Sequence, residues 1–342
     1  MWLSVWTRAV IAPATRRALA VWCGAGIVAA VIFGGNAMAP GDLTGVALHD
    51  PAAGAVLAVT WLLLFVPTAR IIVRADAALY LRALPHREWP PRVVAAVALA
   101  VLQLPWLALW IAGEGVRGLA VVGVVTVPVI GLAAWRPRRA RARVPHWRGP
   151  VGALAGVYTR GLARKAGDAM VRGSGLAVLA GIAAALFVRN NGFDGAHAAA
   201  LASSVIAVVL VPAVVGLLLP LRDAHRMSAA LAASLGIPER ARIAVLASVV
   251  AAVYALAALI GALIVLAMTH VALVVPVSLA TGLGAALLTA RVLAHARDAT
   301  RIVVAAIVAA AICVVWLGWL GAIGSVFAVV TGLVGVLSTR AQ

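Results

Sequence analysis

The residues with chemistry to offer are few: ten carboxylates, seven histidines and two cysteines in a chain of 342. Every carboxylate lies in a loop or at the end of an apolar run. Asp42, Asp50, Glu114 and Asp194 mark one set of ends, and Asp76, Glu88, Asp168, Asp223, Glu239 and Asp298 mark the other. Ion-coupled transporters and intramembrane acid proteases need an ionisable group at membrane depth, so this distribution argues against both. No HExxH motif, paired carboxylates or nucleophile elbow occurs, and no enzyme activity is expected. The chain also lacks GxxxxGK[ST], so any nucleotide hydrolysis must be done by another chain. His49, His197 and His270, with Asp50 and Asp194, could meet around a metal only if three unrelated loops converged. Solvated polar residues are the simpler reading, and neither a metal nor a cofactor is expected. Cys23 and Cys313 lie inside apolar runs as buried thiols with no disulfide framework.

What remains is arginine, and it is patterned. Arg70 to Arg92 reads ARIIVRADAALYLRALPHREWPPR between two long apolar runs, and an altered copy returns at Arg222 to Arg242. In the second copy Met227, Leu231 and Leu235 recur at i, i+4 and i+8, and Gly236 and Pro238 end the helix. The first copy offers Ala77, Tyr80 or Leu81, and Leu84, ended by Pro85. Two short amphipathic helices are therefore expected at the mouths of spans. Tyr80, Leu81, Arg82, Leu84 and Arg87, and separately Arg226, Met227, Leu231 and Leu235, are candidates for docking a protein partner. An ordinary loop of snorkelling arginines is the plainer alternative.

The elements that position these loops follow from composition. The chain is 65% hydrophobic and 11% charged, with a mean hydropathy of +1.10. A soluble domain of this size does not need so much apolar material, so the solvent is lipid. The net charge of +18 does not point to nucleic acid, because the basic residues cluster at the ends of apolar runs. Arginine far outnumbers the single Lys165, and alanine and valine abound, as in a GC-rich bacterial genome; an inner membrane is the expected location. Met1 to Arg17 places tryptophans and arginines where a cleavable signal would have its apolar core, so no such signal is expected.

A spanning helix needs about 20 apolar residues. Ten candidate spans follow, at 18–38, 52–72, 93–112, 118–135, 173–188, 198–219, 243–268, 271–290, 302–319 and 321–337. With both termini cytoplasmic, only Arg117 and Arg189 of the 28 basic residues fall outside, and that bias sets the expected orientation. Residues 302–337 as one helix would be roughly 54 Å long, too long for a bilayer. Trp316, Gly318, Trp319 and Gly321 mark an interfacial turn there, which divides the run into a final pair; a re-entrant hairpin is the alternative.

An internal repeat orders the rest. Pro67 and Pro220, Pro85 and Pro238, Arg87 and Arg240, and Gly131 and Gly284 are each 153 residues apart, and Val5–Val10 resembles Val157–Leu162 at 152. The expected architecture is an all-α polytopic membrane protein built as a 4+4 parallel repeat plus a final helix pair. Residues 1–145 and 146–298 form the repeats, each an interfacial helix plus four spans, and 299–342 form the pair. The interfacial helices carry Trp2, Val5, Trp6, Ala9 and Val10, and Val151, Leu154, Tyr158 and Leu162, on one face. Basic residues follow each, suited to anionic headgroups.

Leu81-Arg82-Ala83-Leu84-Pro85 followed by Arg87, Trp89 and Arg92 resembles the basic loop that precedes a span in ABC-2-type export permeases, with the EcsB-like permeases nearest in size. The likeness covers about 25 residues, and the chain departs from the family in having four spans per unit where six are usual. The resemblance implies a permease subunit that docks a separate P-loop ATPase through its cytoplasmic loops and moves a hydrophobic or lipid-like substrate. It also admits a homodimer. The alternative is a non-transporting membrane scaffold that binds a protein partner or anionic lipid.

Overall fold

The computed structural model describes residues 2–34, 38–76, 78, 89–135, 149–296 and 298–337. Among them there is no strand, and eight helical stretches are long and apolar enough to cross a membrane. The chain is an all-helical, multi-pass membrane protein. That is the form hydrocarbon demands, since a helix satisfies its backbone N–H and C=O groups within its own segment. The chain divides into two compact units, Met1–Arg139 and Ala140–Gln342.

The first unit opens with α1 (Trp2–Trp6), a π-helical turn over Thr7–Ile11 and α2 (Ala12–Phe33). The amphipathic start and the first span, separable by sequence, thus run together as one helix. The wider turn directly precedes Pro13, whose nitrogen has no proton for the α-helical ladder. Then come α3 (Pro40–His49), α4 (Pro51–Arg74), α5 (Trp89–Leu102), α6 (Leu104–Glu114) and α7 (Gly118–Ala134). The Asp42 carboxylate accepts the Ala39 N–H at 2.8 Å and so caps α3 at its positive end. The expected span 93–112 is bent, because the helix breaks at Gln103 ahead of Pro105. The freed Gln103 side chain accepts the Trp61 indole N–H at 2.6 Å. Around that bond Phe65, Trp61, Trp106 and Trp110 form an aromatic column, with successive ring centroids 3.7, 4.8 and 5.6 Å apart. The column joins α4 to α6.

The second unit comprises α8 (Gly149–Lys165), α9 (Gly167–Asn190), α10 (Gly195–Met227), α11 (Ala229–Ser234), α12 (Glu239–Thr269), α13 (Val274–His295), α14 (Ala299–Leu320) and α15 (Gly324–Leu337). Helix α10 is its axis and packs against α8, α9, α12, α13 and α14, while α13 packs against α12, α14 and α15. Lipid tails are as apolar as leucine, so membrane helices associate through close packing and not through hydrophobic drive. Two contacts show it. A Cβ at Gly181 would come within 2.6 Å of the Gly261 carbonyl oxygen, and one at Gly284 within 2.7 Å of the Ala328 carbonyl carbon. Buried hydroxyl pairs add polar links, Ser203 with Ser278 at 2.8 Å and Tyr254 with Thr289 at 3.1 Å.

Ten apolar runs resolve into eight helical stretches because two pairs are continuous. Leu104–Ala134 and Ala299–Val334 are each joined through a single 3₁₀ turn, at Gly115–Arg117 and at Gly321–Ile323. Neither stretch is straight. Gly118 lies against the Trp110 carbonyl and Gly324 against the Trp316 carbonyl, eight residues back; in a straight helix those residues are about 12 Å apart. The Trp316 and Phe327 rings stack at 5.3 Å. The chain therefore doubles back at Gly115 and Gly321, whose φ angles of +59° and +60° favour glycine. Helix α15 has 14 residues and so a length of about 21 Å, short of the roughly 30 Å hydrocarbon core.

Candidate functional site

The second basic loop is built on the arginine-rich end of α10 and the start of α12. Its inward face is spaced as a helix requires: Leu221, His225, Ser228 and Ala232 are all buried. The outward face carries Arg226 and Met227, then Leu231 and Leu235 on α11 and its C-cap. Met227 is 75% exposed, and Leu231 and Leu235 are 51% exposed each. The expected triad is thus exposed, with Met227 ending α10, Leu231 on α11 and Leu235 at its C-cap.

The sequence dictates where that helix stops. Gly236 takes φ +67°, the Ile237 N–H donates to the Ala232 carbonyl at 2.9 Å and the Gly236 N–H to Ala233 at 3.1 Å. This is a Schellman cap, and the residues it pairs, Ile237 and Ala232, are both buried. Pro238 then starts α12 in extended geometry. The expectation that Gly236 and Pro238 end the helix describes the observed turn.

A buried polar knot ties the loop to its neighbours. Tyr158 of α8 and His225 of α10 hydrogen-bond at 2.8 Å from hydroxyl to Nδ1. The Ser228 hydroxyl donates to the His225 carbonyl at 3.0 Å and reaches Tyr158 at 3.5 Å. Arg242 of α12 donates to the same carbonyl at 3.1 Å. That carbonyl lies in the last turn of α10, where helical carbonyls lack partners. Three helices and the loop are pinned at one point, so α11 is presented and not merely tethered. Sequence reasoning placed Tyr158 among interfacial apolar residues and missed His225 and Ser228. The spacing of 221, 225, 228 and 232 was the signal that could have found them.

In the first basic loop Tyr80, Leu81, Arg82, Leu84 and Arg87 lie outside the described residues. Its entry is described. Arg74 donates through Nε to the Ala133 carbonyl at 3.0 Å, and through Nη2 to Trp135, which fastens the end of α4 to the end of α7. Buried Ala78 packs with Trp6 and Val10.

Elsewhere, His49 Nδ1 bonds the Gly45 carbonyl at 2.7 Å, and the Phe193 and His197 rings meet edge to face. No group of three His, Cys, Asp or Glu side chains fit for a metal occurs among the described residues. No protein-family model, curated protein or solved structure matches this chain.

Proposed function

We propose that this chain is the membrane-spanning permease subunit of an ABC-type transporter, which docks a separate P-loop ATPase through cytoplasmic loops and moves a hydrophobic or lipid-like substrate. The observation that carries this reading is the exposed triad Met227, Leu231 and Leu235, which runs from the end of α10 along the capped, pinned α11 to its C-cap. Large apolar side chains displayed on a rigid support are the usual centre of a protein contact, and the exposed Arg226 and Arg240 of the same loop can supply the polar rim such a centre needs. Burying what is now exposed contributes on the order of 1 kcal/mol per side chain, about half of full burial. A floppy loop would lose much of that gain to ordering; this one is ordered beforehand.

Two further features support the reading. The basic residues crowd the loop ends, which favours an inner-membrane topology with both termini cytoplasmic. One helix limit also corresponds at the 153-residue offset, α4 ending at Arg74 and α10 at Met227, while α6 and α12, at Glu114 and Thr269, end 155 residues apart. Within the first unit α7 packs on α4 and α6, and within the second α13 packs on α10 and α12. A 4+4 parallel repeat with ten crossings accounts for these matches if each doubled stretch is counted as two passes.

The test is co-purification from the native host in mild detergent, read by mass spectrometry. A P-loop ATPase should be recovered with the wild-type chain. Leu231→Asp should abolish recovery by placing a charge in the apolar centre, and Arg226→Glu should weaken it by slowing association. Recovery of no ATPase, with both variants leaving the interactome unchanged, refutes the permease and leaves a membrane scaffold.

A further inference from the structure

The first unit contains a groove of about 260 Å³ between α2, α4 and α5, with Ala18, Trp22, Thr68, Ile72, Val97 and Leu102 among its walls. Its lining is apolar but for Thr15, Trp22 and Thr68. The Trp22 indole nitrogen and the Thr68 hydroxyl are buried and make no hydrogen bond within the protein, and Thr68 is only 1% exposed. A polar group buried without a partner is costly in water and more so in hydrocarbon, where no solvent can relieve it. Two such donors on one groove mark a place for an acceptor.

Three properties identify the occupant. The groove lining runs from Val94 to Leu102 on α5 and from Ile11 to Trp22 on α2, which is about 12–16 Å of helix and matches one leaflet of a roughly 30 Å core. Leu19, Val97 and Val101 at its rim are exposed, so the groove opens sideways. All three helices bring arginines to the same end: Arg16 and Arg17 on α2, Arg70 and Arg74 on α4, and Arg92 on α5, with Asp76 the one described acid nearby. We infer that this groove holds one acyl chain of an anionic glycerophospholipid, with its ester carbonyl accepting hydrogen bonds from Trp22 and Thr68 and its phosphate among the arginines. Arg16, Arg17 and Arg92 are exposed at that end and suit an anionic headgroup. Trp22 lies five residues below Arg17, about 7 Å, at a depth suited to an ester and not to a chain terminus.

The site rests only on the chain crossing a membrane, so it stands or falls separately from the ATPase partner. The experiment uses the full chain, equilibrated with vesicles of equal phosphatidylglycerol and phosphatidylcholine, extracted in mild detergent and weighed intact by native mass spectrometry. The wild-type chain should retain one phosphatidylglycerol in preference to phosphatidylcholine. Thr68→Val keeps the shape of that side chain and Trp22→Phe keeps an aromatic ring, and together they remove both donors. It should lower occupancy roughly tenfold to thirtyfold with no change in thermal unfolding measured without lipid. Ala98→Trp should fill the groove and reduce retention to background. Arg17→Gln with Arg92→Gln should keep a lipid but lose the preference for phosphatidylglycerol. Equal retention of the two lipids by the wild-type chain, or undiminished retention by the double donor variant, overturns the proposal.

Discussion

Replacing Tyr158 by Phe tests whether the buried knot is what presents α11. The ring stays and only the hydroxyl goes, so packing on α8 is preserved while His225 Nδ1 loses its partner at 2.8 Å. Ser228 keeps its bond to the His225 carbonyl, so the lesion is one buried group left unsatisfied, worth about 1–3 kcal/mol. If that group is exposed when the loop opens, the opening equilibrium shifts by about fivefold to 150-fold at 1.4 kcal/mol per factor of ten. Hydrogen–deuterium exchange reads this directly at Ala232, Leu235 and Ile237, whose N–H groups are bonded within the loop. Tyr254→Phe is the matched control, since it deletes a hydroxyl paired with Thr289 between α12 and α13, away from the loop. The loop amides should exchange faster in Tyr158→Phe alone. Unchanged exchange there, or equal acceleration in both variants, refutes the idea that the knot holds the loop.

Further outcomes follow from the same structure. Gly321→Val places a β-branched side chain at φ +60° and should lower the thermal midpoint, by about 1–3 kcal/mol of strain; Gly318→Ala, where a Cβ meets nothing, should not. Gly181→Leu drives a side chain into the Gly261 backbone and should cost about 1–3 kcal/mol by overpacking, with Gly123→Ala as the tolerated comparison. Reporter fusions at Gly45, Gly192 and Gln342 should read outside, outside and inside, and an outside signal at Gln342 would show that α14 and α15 do not make two passes.

The membrane class was legible because hydrophobicity at this level admits one solvent, and most spans were legible because length and charge punctuate them. The end of α11 was also legible, since Gly236 and Pro238 act through local backbone geometry. Contacts that depend on which helix faces which were not. Nothing near Gln103 announces Trp61, and nothing near Tyr158 announces His225, 67 residues away. The bend ahead of Pro105 was hidden by an unbroken apolar pattern, because leucine and tryptophan suit either side of a break. Ala78 explains part of the first loop's entry, while Tyr80, Leu81 and Leu84 lie outside the described residues and rest on spacing alone.

The two reversals show how much a short local pattern can do without help from the repeat. Trp110, Gly115 and Gly118 in the first unit match Trp316, Gly321 and Gly324 in the second, each a tryptophan, four residues, a glycine, two residues and a glycine. The backbone agrees closely. Gly115 lies at φ 59°, ψ −139° and Gly321 at φ 60°, ψ −141°, and one 3₁₀ turn follows each. These angles are open to glycine and nearly closed to other residues. The second glycine is needed for a different reason, since a Cβ there would strike the tryptophan carbonyl. The copies stand 206 residues apart and not 153, so the 153-residue offset does not account for their likeness. The turn instead arises wherever this local chemistry recurs. It reverses the chain but cannot place the returning helix. In the second unit Gly284 and Gly332 do that, by admitting α15 to backbone contact with α13. A helix too short to span by itself is thereby held at both its start and its face.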